Sequence, residues 1–267
     1  MLVDTHCHMN MMVKKKFDSP MTPQELLNAQ SIVDDAAAWG VITLINVGTS
    51  LIESRNCVLL ANAYKGVYAT VGIHPNDCTE SWRKDFQEIK KLASLKKVVG
   101  IGECGVDRHY PNHNLSRQYD AFKAHIELAL EHNLALVVHS RDAADETLQV
   151  IEEYQSDIQR AVMHCFSYDQ QFADQVISWG FKIGLGGTIT YPKNDDLRAV
   201  ARLVDVHNIV LETDAPFLPV QSMRGQENDP KYIKTIAEYL AEIRGESLEY
   251  VSHQTTQSAF ALFPILA

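Results

Sequence analysis

Residues 2–10 read LVDTHCHMN, which places His6 and His8 one residue apart directly after a short apolar run. On an extended backbone this spacing sends both imidazoles to one face, where two rings aimed at one point make half of a metal site. For an isolated His-x-His the alternative is a polar turn. Further along, His74 stands in VGIHP, Glu103 in VGIGECGVD, His139 in LVVHSRD, His164 in VMHCFS and Asp214 in VLETDAP. Each ends or follows a β-rich run. A lone histidine is ordinarily core or surface, but several converging on one place resist a structural explanation, because buried charge is costly unless paired or bound to metal. Four histidines (His6, His8, His139, His164) and two carboxylates (Glu103, Asp214) exceed what one tetrahedral zinc uses. They suit two divalent ions sharing a carboxylate bridge. Such a pair lowers the pKa of water toward neutrality, and an aspartate beside it can take the proton. The reaction this predicts is hydrolysis.

Something must bring these residues together. Short β-rich runs occur at Leu2–Asp4, Val41–Val47, Gly66–Val71, Val98–Gly102, Leu134–Val138, Arg160–Met163, Phe181–Leu185 and Asn208–Leu211. Helical periodicity fills the intervals. Thr22-Pro23-Gln24-Glu25 is a capping box with proline at the first helical position, and Gly40 marks the stop. Ser50-Leu51-Ile52-Glu53 repeats the box. Further helices fit Ser81–Ser94, Ser116–His132, Asp142–Gln155, Asp169–Trp179, Asp195–Leu203 and Pro230–Ile243, with a last one, Ser247–Phe263, beyond the eighth unit. Eight strand–helix alternations without a linker or composition break predict an α/β protein, a single (β/α)8 TIM-type barrel with an extra C-terminal helix over residues 1–267. A doubly wound open sheet is the rival architecture. In a barrel, chemistry gathers where strands end, which is where the histidines and acids lie.

Composition narrows the partners. The chain carries a net charge of −10, which argues against a broad basic surface for gripping nucleic acid, so any such substrate must be held locally. Five unpaired-looking cysteines suit a reducing cytoplasm. No apolar run reaches the roughly 18 residues of a membrane helix, and the start lacks a secretory pattern. Cys7, Cys104 and Cys165 adjoin proposed ligands, and strand alternation turns them toward the helix layer as small buried groups. Glu212 and Asp107 each admit two readings, orienting a ligand from behind or pairing with a cation. Lys14-Lys15-Lys16 is either solvated surface or a phosphate contact at the mouth. Arg141 is the better phosphate candidate, since its planar fork suits bidentate contact; a helix-capping ion pair is the alternative. Gly184, Gly186 and Gly187 either line an anion pocket or relieve crowding. His125, His132, His207 and His253 read as structural, while His109 and His113 admit either reading.

Taken together, LVDTHCHMN, GECGVD and VLETDAPFLP, with GIHP, HSRDA, HCFS and GGTITYP in order between them, resemble a TatD-type metal-dependent hydrolase, a branch of the amidohydrolase superfamily, over nearly the whole chain. The resemblance implies that His6, His8 and Asp214 hold one ion, His139 and His164 the second, and Glu103 bridges both. It further implies that Asp214 orients or deprotonates the attacking water, that His74 contacts a substrate phosphate, and that the activity is a metal-dependent DNase, often a 3′ to 5′ exonuclease. Two departures stand out. GVD replaces the common GLD at Gly105–Asp107, and RGQENDP at Arg224–Pro230 puts Gln226 and Glu227 where the family commonly has cations.

The expectation is therefore a cytoplasmic hydrolase of phosphodiesters at DNA ends, with two ions, zinc by ligand type or else manganese or magnesium. No membrane and no obligate protein partner are expected. The alternatives are a binuclear hydrolase of small esters, amides or phosphoesters, and a metal-binding scaffold with little turnover.

Overall fold

The structure, a computed structural model, describes residues 1–14 and 16–264. Eight parallel strands follow one another in chain order around a barrel: β1 (Leu2–Cys7), β2 (Val41–Val47), β3 (Val67–Val71), β4 (Val98–Asp107), β5 (Ala135–Arg141), β6 (Ala161–Met163), β7 (Lys182–Leu185) and β8 (Ile209–Leu211). Around them lie α1 (Met9–Lys14), α2 (Pro23–Asn28), α3 (Gln30–Ala38), α4 (Leu51–Ala63), α5 (Trp82–Ala93), α6 (Leu115–His132), α7 (Ala144–Glu152), α8 (Gln170–Ser178), α9 (Asp195–Leu203), α10 (Ile233–Arg244) and α11 (Leu248–Leu262). Backbone bonds from Asp214 N–H to His6 O (2.8 Å) and from His8 N–H to Ala215 O (2.7 Å) bring the last strand back to the first, so the rival open sheet is excluded.

The barrel has two cores. Val3, Ile45, Val47, Val99, Val137, Val162 and Val210 fill its interior, and Ala259, Leu262 and Phe263 of the C-terminal segment plug the end opposite the histidines. The larger core lies between sheet and helices. The extra helix thus closes the barrel floor, held there by Thr256 Oγ1 donating to Met1 O (3.1 Å) and Ser258 Oγ to His207 O (2.8 Å).

Several elements depart from the sequence reading. The predicted helix from Thr22 to Gly40 breaks at Ala29 into α2 and α3, the capping box at Thr22 being complete. The second box forms only half. Ser50 accepts from Glu53 N–H, but the Glu53 carboxylate turns inward instead, taking Lys14 Nζ at 2.6 and 2.8 Å, Asn10 Nδ2 at 2.7 Å and Asn56 Nδ2 at 3.0 Å. Lys14 is therefore a buried ion-pair partner, neither solvated nor a phosphate contact. Lys15 lies outside the described residues, and Lys16 is exposed.

Candidate metal centre

Alternation along β5, β6 and β8 continues straight into the site. Val137, Val162 and Val210 point into the barrel, so His139, His164 and Glu212, two residues on, point the same way. In β1 and β4 alternation alone fails. Val3 and His6 both face inward at opposite parity, while Val99 and Ile101, at the same parity, lie in the inner and the outer core. Pairing slips between Asp4 and Cys7 in β1 and between Ile101 and Cys104 in β4. At the second slip Gly102 adopts φ +136°, and a Cβ there would run into Val137, so only glycine serves. Behind the first slip the buried Asp4 accepts from His6 N–H (3.2 Å), Thr213 N–H (3.0 Å) and Thr213 Oγ1 (2.6 Å), tying both ends of the barrel mouth to one carboxylate.

The predicted ligands converge. His6 Nε2 lies 3.3 Å from His8 Nε2, 3.5 Å from Glu103 Oε2 and 3.7 Å from Asp214 Oδ1. His8 Nε2 lies 3.3 Å from the same Asp214 oxygen. The other oxygen of Glu103, Oε1, lies 2.7 Å from His139 Nδ1, 2.9 Å from His164 Nε2 and 3.6 Å from His74 Nε2. Glu103 thus offers one oxygen to each of two neighbouring sets. His8 donates its Nδ1–H to Val47 O (2.9 Å), which leaves a lone pair on the neutral ring's Nε2 facing the cluster. His6 Nδ1 is buried without a hydrogen-bond partner among the described residues. A buried nest of acceptors this short of protons fits a cation. The sets His6–His8–Glu103 and Glu103–His139–His164 each bring one atom per residue close enough to share an ion.

Electrostatics point the same way. Burial alone would raise Glu103 and Asp214, yet the neighbouring imidazoles hold both carboxyls below the usual range. Burial likewise opposes charge on His8, His139 and His164, and the carboxylates outweigh it and make all three more basic. His6 goes the other way, lowered by burial and by His164. Cations drawn by these carboxylates would displace the imidazole protons.

The residues behind the cluster settle several open readings. Glu212 stands 3.3 Å from His164 Nδ1 and accepts Cys165 N–H (2.6 Å), and Asp107 Oδ2 stands 3.1 Å from His139 Nε2 and accepts from Asn76 Nδ2 (2.9 Å). Asp107 thus hydrogen-bonds the His139 ring from behind, and Glu212 stands at ion-pair distance behind His164. Gly184 makes room for this, since a Cβ would overlap the Glu212 carboxylate, and Gly187 similarly clears Leu218 and Val220. These glycines relieve crowding. Cys7 and Cys104 lie in the outer core as expected. Cys165 does not, because it takes φ +46° and borders the mouth, but burial pushes its thiol up to about 12, which keeps it a neutral group.

His74 and Arg141 also reach the mouth. Burial, aided by His139, pulls His74 down to about 3. Its Nδ1 accepts Asn76 N–H (3.1 Å), so the neutral ring carries its proton on Nε2, toward the cluster. Arg141 is exposed and borders a cavity shared with His139, His164 and Asp214, with no carboxylate within ion-pair distance among the described residues. Asp77, which the sequence reading passed over, lines the central cavity, where burial and the charges of Asp18, Glu103 and Glu53 push it up to about 7. His125 is structural as expected, bridging Ala121 O and Ile73 N–H at 2.7 and 3.0 Å, and His109 and His113 bond within the outer loop and to Asp142.

Known proteins share this architecture. The family model described as "TatD related DNase" matches residues 3–264. "Uncharacterized metal-dependent hydrolase YabD" of Bacillus subtilis (strain 168) is 30% identical over 265 residues, covering 99% of this chain and all of its own. "3'-5' ssDNA/RNA exonuclease TatD" of Citrobacter rodentium (strain ICC168) is 33% identical over 240 residues, 88% of this chain and 91% of its own. Among solved structures, the TatD homolog YjjV from Escherichia coli superposes with a TM-score of 0.87 at 27% identity, covering 98% of both chains.

Proposed function

Because this chain belongs to the TatD-related DNase family of metal-dependent hydrolases, we propose that it hydrolyses phosphodiesters at the ends of unpaired DNA strands with the help of two divalent ions. The observation that carries the reading is Glu103, whose two oxygens face two separate groups of histidines. His6, His8 and Asp214 with Glu103 Oε2 would hold one ion, and His139 and His164 with Glu103 Oε1 the other. Imidazole-rich ligation favours zinc, with manganese or magnesium as the oxygen-tolerant alternatives. Bound ions would supply Lewis acidity, making water more acidic and offsetting charge on the attacked phosphate.

The chain's own groups supply the rest. Asp214 is the most exposed of the proposed ligands that bear a carboxylate, at 14% against 5% for Glu103, and it borders both cavities of the mouth. That makes it the group to take the proton from incoming water. His74 would donate its Nε2–H to a phosphate oxygen, and the Arg141 fork would take another. The central cavity, about 350 Å³, has room for one nucleotide unit at a time. The 3′ to 5′ direction rests on the name of the Citrobacter rodentium relative. Five unpaired cysteines fit a reducing cytoplasm, and among the described residues no helix is long and apolar enough to cross a membrane.

The test is metal-stripped protein reloaded separately with zinc, manganese and magnesium, assayed on single-stranded oligonucleotides, simple phosphodiesters and carboxylic esters, with ions counted by elemental analysis. Two ions per chain and release of nucleotides from free ends are expected. Hydrolysis of small esters without any cut oligonucleotide would transfer the reading to a small-molecule hydrolase, and full metal without turnover on any substrate would leave a scaffold.

A further inference from the structure

Three aromatic side chains stand around the mouth with about half their surface in water: Phe17 at 51%, Tyr110 at 53% and Phe217 at 49%. They come from three segments, following β1, β4 and β8, and all three line the cavity floored by His8, Glu103 and Asp214. Rings of this size are normally buried, because burial of their surface drives folding. Among the described residues five aromatic rings are left largely exposed, so three at one mouth is a concentration that calls for a ligand.

None of the three hangs from a loose loop. Beside Phe17, Asp18 N–H donates to Glu53 Oε1 (2.6 Å), and Ser50 Oγ donates to Asp18 Oδ1 (2.7 Å). Lys14 pins the same turn by donating to Ser19 O (2.7 Å). The carbonyl of Tyr110 accepts His113 N–H and lies 2.8 Å from His113 Nδ1. The carbonyl of Phe217 accepts Nδ2–H of the buried Asn228 (2.8 Å), which also donates to Thr213 O (2.7 Å). Buried polar groups thus hold the backbone beside Phe17 and at Phe217, and a local turn holds that of Tyr110, so a ligand stacking on these rings meets less ordering cost than on a free loop.

The occupant follows from charge. With a net charge of −10 and Gln226 and Glu227 where cations would help, long-range attraction to a phosphate chain is weak. Stacking needs no charge, and every base has a π-face, but only an unpaired base can offer it to a protein ring. Building on the nuclease reading, we propose that Phe17, Tyr110 and Phe217 form an aromatic rim that stacks the unpaired bases next to the cleaved phosphate, so that the strand end is gripped by its bases.

The experiment compares two oligonucleotides of equal length and charge, one with ordinary terminal bases and one abasic at those positions, as substrates of the metal-loaded protein. Phe17→Ala, Tyr110→Ala and the conservative Phe17→Trp and Tyr110→Phe are assayed beside it, with 2-aminopurine near the 3′ end to report stacking. Removing the bases should raise KM roughly 5- to 150-fold for each base that no longer stacks on a ring. Phe17→Ala and Tyr110→Ala should raise KM by a similar factor for the ordinary strand, add nothing for the abasic one, and restore the 2-aminopurine emission that binding quenches. The conservative variants should keep the native KM. Equal KM for both strands in the unaltered protein overturns the rim even if an alanine variant misfolds, and equal losses on both strands in the variants overturn it too, while cleavage itself keeps the nuclease reading. Failure to cut either strand while small esters are hydrolysed removes both.

Discussion

At the scale of single residues, a carboxylate proposed as both ligand and base can be divided by substitution. Asp214→Asn keeps the shape and one neutral oxygen but loses charge and basicity, so turnover should fall on the order of 10²–10⁴-fold. The loss of metal should be much smaller, because His6, His8 and Glu103 remain around the same point. The check is kcat beside ion content in one preparation; a variant with full metal and near-native turnover would give the proton to another group. Glu212 offers a second case. It reaches His164 from behind, and Gly184 leaves it room. Glu212→Gln and Gly184→Ala, one altering the carboxylate and the other displacing it, should both weaken the ion held by His139 and His164 by roughly 10–100-fold. Isothermal titration with zinc would register this as weakening of one of two binding events, and an unchanged titration in both variants would make Glu212 a bystander.

At the scale of elements, legibility depended on whether a local rule was left to act alone. In β5, β6 and β8 the alternation from Val137, Val162 and Val210 runs unbroken to His139, His164 and Glu212, and a period of two was enough to aim them. In β1 and β4 the ligands face inward because the pairing slips, and a slip is a relation between strands that no single run of residues displays. For the run Lys14-Lys15-Lys16 the sequence offered solvated surface or a phosphate contact, and neither fits Lys14 because its partner, Glu53, is 39 residues away. Breaking that buried pair by Lys14→Met should cost about 3–5 kcal/mol, read as a lower urea midpoint, and should loosen the turn that carries Phe17. His125 ties α6 to the segment after β3 through Ile73 N–H. Burial lowers its pKa from 6.5 to about 4. The folded state therefore prefers the neutral ring. Its contribution is complete above pH 6.5 and is lost between there and about pH 4, where the unfolded chain takes up a proton that the folded one refuses. The loss amounts to about 3 kcal/mol. His125→Gln keeps a donor and an acceptor without that titration, so it should be the less stable protein at pH 7.5 and narrow the gap by about this amount as pH falls. Parallel stability curves for the two would assign the acid loss elsewhere.

At the scale of the whole molecule, the barrel separates two tasks by its ends. One end is plugged with Phe263 and Leu262 and carries stability, while the other gathers acids and imidazoles that folding would otherwise disfavour. The same division governs how a nucleic acid can be held. A protein with a net charge of −10 has no surplus of cations to spread along a phosphate chain, and among the described residues lining the two cavities the phosphate-binding groups are the Arg141 cation and the neutral His74 donor, beside the proposed ions. Binding to a single strand that neutralises Z phosphates falls with salt at a logarithmic slope of about −0.7Z. With so few cationic groups Z should be about one to three, giving a slope of roughly −0.7 to −2, and base stacking should leave a salt-resistant remainder. On the proposed reading the mouth takes an end in preference to a continuous strand, because Phe17, Tyr110 and Phe217 line its cavity from separate loops. Titrating short single strands at fixed metal across a range of salt, beside cleavage of closed circular single-stranded DNA, measures both properties. A steep slope would mean a phosphate-binding track along the outer surface, and rapid cutting of closed circles would mean that strands pass over the mouth without threading in by an end. A shallow slope with intact circles is the outcome that this distribution of charge and aromatic surface requires.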